Sequence, residues 1–191
     1  MRIVGGTASG RKIQALSGLN TRPTGERVRE AIFNSLARWL LDASVLDLFG
    51  GSGALSLEAI SWGAKVALVC EAEPAAAELI RANATQLGMQ AQVHVMNTTA
   101  ETAVRRLCST GERFDLAFCD PPWDRGLSQE VRENVHKVLK RDAILVVEHP
   151  STTAGPHVDG LIVQRTRRYG RTCVTFYRPI SVSAREEVGS T

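Results

Sequence analysis

A glycine-rich turn between an apolar strand and a helix is the feature that most limits how this chain can fold. The apolar run Val45–Phe49 leads into Gly50–Gly53, and a helix-forming segment follows directly. This order is typical of the first crossover of a parallel α/β sheet, where ligands bind beyond the carboxyl ends of the strands. Glycines in the turn let the backbone approach a ligand closely, and the helix start offers unpaired amide hydrogens.

The charge around this turn argues against a dinucleotide site. A site for the pyrophosphate of NAD would have a third glycine at position 56, where this chain has Ser56, and Asp47 is a second departure. A carboxylate beside the turn repels phosphate but attracts an ammonium group. S-adenosylmethionine carries a sulfonium and an α-ammonium group and no phosphate, so it fits this charge pattern better than NAD does.

Polar residues at the ends of the next two predicted strands extend the cofactor site. Glu71 ends the second strand and is placed to bind both hydroxyls of a ribose, whereas Glu73 stands before a proline and is better explained as a helix start. Asn97 ends the third strand, where it could bind an adenine edge or cap the following helix. The predicted cofactor-binding residues are Asp47, Phe49, Gly51, Ser52, Gly53, Glu71 and Asn97.

The residues Asp120, Pro121, Pro122 and Trp123 come where the fourth predicted strand ends and a loop begins. The carboxylate can accept a hydrogen bond from a flat amino group, the prolines fix the backbone without amide hydrogens, and the indole can stack on a ring. This combination suits methylation of an exocyclic amine on a nucleobase, although a Pro-Pro turn that merely ends a strand has the same signature. We take these four residues as the candidate catalytic site.

Segments of strand and helix periodicity alternate along the chain. Strands are predicted near 45–49, 65–71, 92–97, 115–120 and 143–149, and helices near 24–41, 53–62, 74–87, 99–109 and 128–140. This alternation predicts an α/β fold with a parallel sheet wound on both faces. The segments 161–166 and 173–178 have no helix between them and predict an antiparallel hairpin. We expect a small N-terminal β-hairpin extension at 1–20, the main domain at 21–180 and a disordered tail at 181–191.

The net charge of +3 conceals a strongly uneven distribution. Residues 1–41 have seven Lys and Arg against two acids, which gives +5, and residues 161–191 have six Arg against two acids, which gives +4. The middle, 42–160, has ten basic and sixteen acidic residues, which gives −6. A local positive face attracts phosphate even where the total charge is small, so both ends are candidates for contact with nucleic acid. A solvated basic surface without a partner is the alternative.

The remaining composition restricts the class of protein. At 191 residues and 43% hydrophobic, the chain can bury a sizeable core in one domain. No apolar stretch is long enough to span a bilayer, so we expect a cytoplasmic protein that does not bind a membrane, and we expect a monomer. The cysteines at 70, 108, 119 and 173 and the four histidines show no ligand spacing, so we predict reduced thiols and no metal site.

The motif Asp47–Gly53, the acid Glu71 and the motif Asp120–Trp123 resemble those of the class I S-adenosylmethionine-dependent methyltransferases. Within that group, the chain resembles the bacterial 16S ribosomal RNA guanine-N2 methyltransferases, which modify the guanine numbered 966. The similarity extends from Met1 to about Tyr177. It includes Arg2–Gly6, Gly10–Lys12, Arg22–Thr24, Arg27–Glu30, Phe33-Asn34, Arg125–Leu127 and Tyr169-Gly170.

The resemblance implies a Rossmann-like α/β fold with a seven-stranded, mostly parallel sheet whose last strand is reversed. It also implies methyl transfer from S-adenosylmethionine to the exocyclic N2 of a guanine in 16S ribosomal RNA, free or in a small-subunit assembly particle. An adenine-N6 methyltransferase acting on DNA or RNA and a non-catalytic RNA-assembly factor remain as alternatives. The predicted RNA-binding residues are Arg2, Arg11 and Lys12 on the hairpin and Arg22, Thr24 and Arg27 at the mouth of the site.

Overall fold

A seven-stranded sheet forms the centre of the protein in the computed structural model, which describes residues 1–15 and 25–180. The strands are β1 (Ser44–Asp47), β2 (Val66–Glu71), β3 (Val93–Asn97), β4 (Phe114–Cys119), β5 (Leu139–Pro150), β6 (Leu161–Tyr169) and β7 (Thr172–Pro179). The α-helices of the described residues are α1 (Glu26–Leu40), α2 (Ala54–Ser61), α3 (Pro74–Leu87), α4 (Ala100–Thr110) and α5 (Gln129–Asn134).

The order of the strands across the sheet is β3-β2-β1-β4-β5-β7-β6. The first five strands are parallel, and β7 is antiparallel to both β5 and β6. The predicted α/β fold and the C-terminal antiparallel hairpin are therefore confirmed. All five parallel strands end at one side of the sheet, called the carboxyl edge below. The β6–β7 turn lies at this same edge, because Pro150 at the end of β5 pairs with Thr172 at the start of β7.

The start of β5 differs from the prediction. The helix expected over 128–140 ends at Asn134, and after a short 3₁₀ turn the strand begins at Leu139 rather than near 143. The charged residues 140–142 are exposed on this extension and hide its strand character in the sequence. The extension is held by pairing of Leu139 with Phe114 and by an ion pair of 2.7 Å between Lys140 Nζ and the Asp115 carboxylate.

Helix α1 packs across one face of the sheet. This agrees with its apolar residues Val28, Ile32, Leu36 and Leu40, which recur every four positions and predict an amphipathic helix. Leu36 and Leu40 are fully buried, and the ring of Phe33 lies 5.7 Å from that of Phe118 on β4. Burial of such side chains stabilises the fold by about 1.5–3 kcal/mol each. The helix ends where β1 begins, since the Ala43 amide donates to the carbonyl of Leu40. Consequently, α1 runs opposite to the strands and begins on the carboxyl-edge side.

The N-terminal segment reverses direction and packs on α2 and α3. A single antiparallel bridge joins Arg2 to Lys12, and a 3₁₀ turn at Gly6–Ala8 lies between them. The Val4 amide donates to Glu58, and the Ala8 amide donates to the hydroxyl of Ser61. The predicted boundary at 20/21 and the predicted tail at 181–191 lie outside the described residues, so these domain limits stay predictions. No helix in the described part of the chain is long and apolar enough to cross a membrane.

Candidate functional site

The glycine turn after β1 has two kinds of glycine. A side chain at Gly50 would collide with Val69 and Ile80, since a Cβ there would stand 2.6 Å and 2.7 Å from their carbons. Gly51 and Gly53 have φ angles of +56° and +80°, a region that favours glycine. At Gly51 no atom lies within 4 Å of the Cβ position. Gly50 therefore allows close packing against Val69 and Ile80. The absence of a side chain at Gly51 leaves open space beside the turn, called the open cradle below.

Glu71 ties the end of β2 to this turn. One carboxylate oxygen accepts a hydrogen bond of 2.7 Å from the Gly51 amide, and the other accepts one of 2.8 Å from the Glu73 amide. Glu73 itself stands directly before Pro74 at the start of α3, as predicted from the proline. The half-buried Glu71 carboxylate is consequently fixed in position before any ligand binds.

Asp47 is buried beneath the turn, and Ser56 explains why the third glycine is missing. The Ser56 hydroxyl donates to the Asp47 carboxylate at 2.8 Å, and the amide of Phe49 donates to it at 3.3 Å. Burial of this carboxyl group raises its pKa from 3.8 to about 6. Asp47 thus fixes the shape of the turn through two protein contacts, and direct contact with a ligand ammonium group stays a prediction.

Asn97 forms hydrogen bonds with the backbone at the end of β2 and does not cap a helix. Its amide nitrogen donates to the carbonyl of Glu71 at 2.8 Å and to that of Ala72 at 3.1 Å. The cap of α4 is Thr99, whose hydroxyl accepts from the amide of Thr102 at 3.3 Å. The alternative that Asn97 caps this helix is wrong, because the helix starts two residues too late. Its contact with an adenine edge stays a prediction.

The candidate catalytic motif follows β4 at the carboxyl edge. Asp120 is half-buried and Pro121 is buried, while the Pro122 carbonyl closes a tight turn by accepting from the amides of residues 125 and 126. Trp123 is 36% exposed, so part of its side chain is accessible to solvent. These four residues therefore combine a half-buried carboxylate, a tight backbone turn and a partly exposed aromatic side chain.

A second acid next to Asp120 was missed by the sequence prediction. Cys119 pairs with Val147 of β5, so the next residues along the two parallel strands, Asp120 and Glu148, are neighbours. Glu148 is only 6% exposed. The available signal was an acid directly after the apolar run 144–147, since charged side chains are rarely fully buried.

Four acids therefore form a line along the carboxyl edge, called the acidic line below: Asp47, Glu71, Asp120 and Glu148. Two thiols lie behind them. Burial, with the nearby Asp47 and Glu71 carboxylates, raises the pKa of Cys70 to about 12, and burial raises that of Cys119 well above its usual range. Both thiols stay protonated and unreactive. All four cysteines are free, as predicted.

Asn83 on α3 links the glycine turn to the N-terminal segment, and it was also missed. Its amide nitrogen donates to the carbonyls of Ser52 and Gln14 at 3.0 Å each, and its oxygen accepts from the Gln14 amide at 2.9 Å. The side chain is completely buried. Its position on the buried face of α3, three residues after Ile80, was the only signal.

The predicted RNA-binding residues have different surroundings. Arg11 donates to the carbonyls of Gln86 and Leu87, with a distance of 2.9 Å to the latter, so it caps the end of α3. Arg2 is exposed and lies 3.5 Å from Glu26. Exposed positions are also found for Lys12 and for Arg27, the latter in the first turn of α1. Arg22 and Thr24 lie outside the described residues. RNA contact by these residues stays a prediction, and Arg11 already has a structural role.

No group of three or more His, Cys, Asp and Glu side chains within residues 1–15 and 25–180 could hold a metal ion.

Comparisons with known proteins agree with this geometry. The family described as conserved hypothetical protein 95 matches residues 1–178. YlbH of Bacillus subtilis, provisionally named as an rRNA methyltransferase, is 30% identical over 181 residues, which cover 93% of this chain and 98% of YlbH. Ribosomal RNA small subunit methyltransferase D of Escherichia coli strain K12 is 39% identical over 130 residues, 68% of this chain and 64% of that protein. A structure provisionally assigned as the methyltransferase yhhF of E. coli superposes with a TM-score of 0.82 at 34% identity, covering 94% of this chain and 97% of that one.

Proposed function

The chain belongs to the family described as conserved hypothetical protein 95, and from this membership we propose that it methylates the exocyclic N2 of a guanine in small-subunit ribosomal RNA. It is an S-adenosylmethionine-dependent rRNA methyltransferase. The observation that carries this function is the position of Asp120 and Trp123 at the carboxyl edge, directly after β4, which pairs with the strand before the glycine turn. That arrangement supports a site for an amine next to a site for a methyl donor.

The residues of the glycine turn fit S-adenosylmethionine. The open cradle at Gly51 is a place where a Cβ would obstruct a ligand, and the Glu71 carboxylate beside it suits ribose hydroxyls. Negative charge from Asp47 and Glu71 favours a cationic ligand over a phosphate. When bound, the cofactor supplies an electrophilic methyl group on its sulfonium, which the amine nitrogen of the base takes.

Asp120 has the central role at the amine. The N2 of guanine is a weak nucleophile because its lone pair is delocalised into the ring. We infer that the Asp120 carboxylate accepts one N–H, with the carbonyl of Pro121 accepting the other, and so directs the lone pair away from the ring. Orientation of this kind lowers barriers by up to about 7–11 kcal/mol in favourable cases. The proton released after transfer passes to Asp120 or to water, so no histidine base is required.

Trp123 and the basic ends of the chain handle the RNA in this proposal. The target base has to leave its stack to reach a pocket at the sheet edge. Stacking of the base on the indole of Trp123 offsets part of that cost, by about 1–3 kcal/mol. Arg2, Lys12 and Arg27 are candidates for phosphate contacts because they are exposed and cationic. We further propose that the enzyme acts as a cytoplasmic monomer, on 16S RNA or a small-subunit assembly particle.

The relatives favour rRNA methylation over the two alternatives. The E. coli and Haemophilus influenzae relatives are both named ribosomal RNA small subunit methyltransferase D, and the latter is 32% identical over 78% of each chain. A non-catalytic factor would have no need for a fixed carboxylate at the turn and a second one beyond β4. Identification of the methylated base distinguishes guanine-N2 from adenine-N6 chemistry.

The function is tested by transfer of a labelled methyl group to three substrates. These are free 16S RNA, 16S RNA bound to ribosomal proteins, and intact small subunits, each followed by mapping of the product nucleotide. We expect one N2-methylguanine in at least one substrate. Methyl-adenine as the product would make the enzyme an adenine-N6 methyltransferase, and no transfer to any substrate would contradict the proposal.

A further inference from the structure

A group of arginines lies at the β6–β7 turn, within the basic C-terminal part of the chain, and none of them is among the phosphate contacts named above. We call Arg167, Arg168 and Arg171 the arginine turn. All three are exposed, and the sequence has no acid between residues 160 and 180. Within the described part of the chain, none of them forms an ion pair. Their positive charges therefore have no acidic partner among the described residues.

The arginine turn lies at the edge of the sheet that carries the acidic line. Ser151, just after β5, donates its amide to the carbonyl of Arg171 at 2.8 Å, which holds the turn against the end of β5. Between β4 and β7 there is only β5. Neighbouring strands are about 4.8 Å apart, so β7 stands roughly 10 Å to the side of β4, the strand that carries Asp120.

Two other arginines of the same hairpin attach it to neighbouring elements, whereas Arg168 donates only within the turn, from Nε to the carbonyl of Gly170 at 3.1 Å. The guanidinium of Arg165 lies 4.3 Å from the centre of the Phe176 ring and donates to the Ser35 carbonyl of α1 at 3.5 Å. Arg178 lies 5.0 Å from the centre of the Trp39 ring and donates to the carbonyl of Asp142. Arg165 and Arg178 fix the hairpin to α1 and β5. The arginine turn is thereby presented on a rigid support.

The acidic line lies beside the candidate catalytic site, so a polyanionic substrate needs cations nearby to offset this negative charge. The acidic line repels RNA phosphates at the point where the base must enter. When a base leaves its stack, its own backbone remains outside the pocket. Cations beside the pocket can neutralise that backbone and release its counterions, which is the main source of sequence-independent affinity.

We propose that the arginine turn binds the phosphate backbone of the substrate RNA beside the target base. The proposal rests on the function proposed above and specifies which surface holds the strand. Arg27 lies at the start of α1, also on the carboxyl-edge side, so the RNA backbone is held from two directions around Asp120.

The test is a triple variant, Arg167→Gln, Arg168→Gln and Arg171→Gln, in the full chain. RNA binding is measured with a 16S RNA fragment that the parent methylates, over a series of salt concentrations. We expect about ten-fold weaker binding or more, because one charge-assisted hydrogen bond is typically worth that much. The slope of log affinity against log salt should fall by about 0.7 for each phosphate that the variant no longer neutralises. KM for RNA should rise, while kcat and the affinity for S-adenosylmethionine stay within two-fold.

A matched control removes three positive charges elsewhere: Lys65→Gln, Arg106→Gln and Arg113→Gln. Lys65 and Arg113 directly precede β2 and β4 at the opposite edge of the sheet, and all three residues are exposed. An equal loss of affinity in this control would mean that net charge alone matters and would overturn the proposal.

Two further outcomes separate this proposal from the proposed function. If the parent methylates RNA and the triple variant keeps its affinity and salt slope, the arginine turn alone is refuted. The same holds if only binding to protein-containing particles weakens, since the turn would then contact a ribosomal protein. If the parent transfers no methyl group to any RNA, the proposed function fails and this inference fails with it.

Discussion

Replacement of Asn83 by alanine should weaken the fold and the cofactor site together. The side chain makes three hydrogen bonds to the backbone, two with Gln14 and one with Ser52 of the glycine turn. Because Asn83 is completely buried, water cannot take its place without entering the core. Both the N-terminal segment and the turn would lose an anchor in one substitution.

The magnitude follows from these three bonds. Each is worth about 0.5–1.5 kcal/mol net, and unsatisfied groups cost more, so we expect a loss of about 2–4 kcal/mol in the free energy of unfolding. For a domain of this size, 1 kcal/mol corresponds to about 2–4 °C, which gives a decrease in Tm of about 4–16 °C. Affinity for S-adenosylmethionine should fall by about three- to ten-fold, because a looser turn has to be ordered on binding.

Urea denaturation and calorimetric titration with S-adenosylmethionine measure the two effects. Asn134→Ala is the matched control, since Asn134 lies near the end of α5 and its amide donates to one nearby carbonyl, that of Glu130. We expect the control to cost about 0.5–1.5 kcal/mol and to leave cofactor affinity unchanged. Asn83→Asp should be worse than Asn83→Ala, because it sets a carboxylate oxygen against two carbonyl oxygens. Parent-like stability and affinity in Asn83→Ala would refute the idea that this amide anchors the turn.

Three other substitutions test the remaining roles. Asp120→Ala should abolish methyl transfer while cofactor affinity stays within a few-fold, and near-normal turnover in this variant would remove the central claim about catalysis. Glu71→Ala should weaken S-adenosylmethionine binding by about 1.5–3 kcal/mol, and the control Glu73→Ala should bind the cofactor as the parent does. If the parent and both variants bind it equally well, Glu71 only holds the glycine turn and does not contact the cofactor. The pKa of Asp47 is raised in the fold from 3.8 to about 6. Its contribution to the free energy of unfolding is therefore fully present below pH 3.8, and about 3 kcal/mol of it is lost as the pH rises through 6. Asp47→Asn should therefore flatten the fall in unfolding free energy between pH 4 and pH 7, and identical pH profiles for variant and parent would contradict the assignment.

Local signals were sufficient for the fold class and for the elements that carry the site, whereas the seven-stranded sheet with its reversed last strand followed from the family resemblance. The alternation of apolar strands and amphipathic helices predicted the parallel sheet, since both periodicities are properties of short segments. The glycines after β1 predicted the turn, because residues with positive φ are usually glycine. Glu71 and Asp120 could be assigned to one edge because parallel strands bring their carboxyl ends together. The start of β5 was predicted late because its charged residues 140–142 mask the strand pattern.

Other features depend on how the chain packs, because their partners lie far apart in the sequence. Asn83 bonds with a residue 69 positions away, and no local pattern indicates such a pairing. Glu148 joins the acidic line through the register of β4 against β5, which a shift of the strands would change. Arg11 looks like a phosphate contact in the sequence, yet it caps α3, since a cation is attracted to carbonyls as well as to phosphates. Local sequence thus specifies which elements form and which chemistry they carry, whereas the packing of distant segments specifies which side chains hold the site in place.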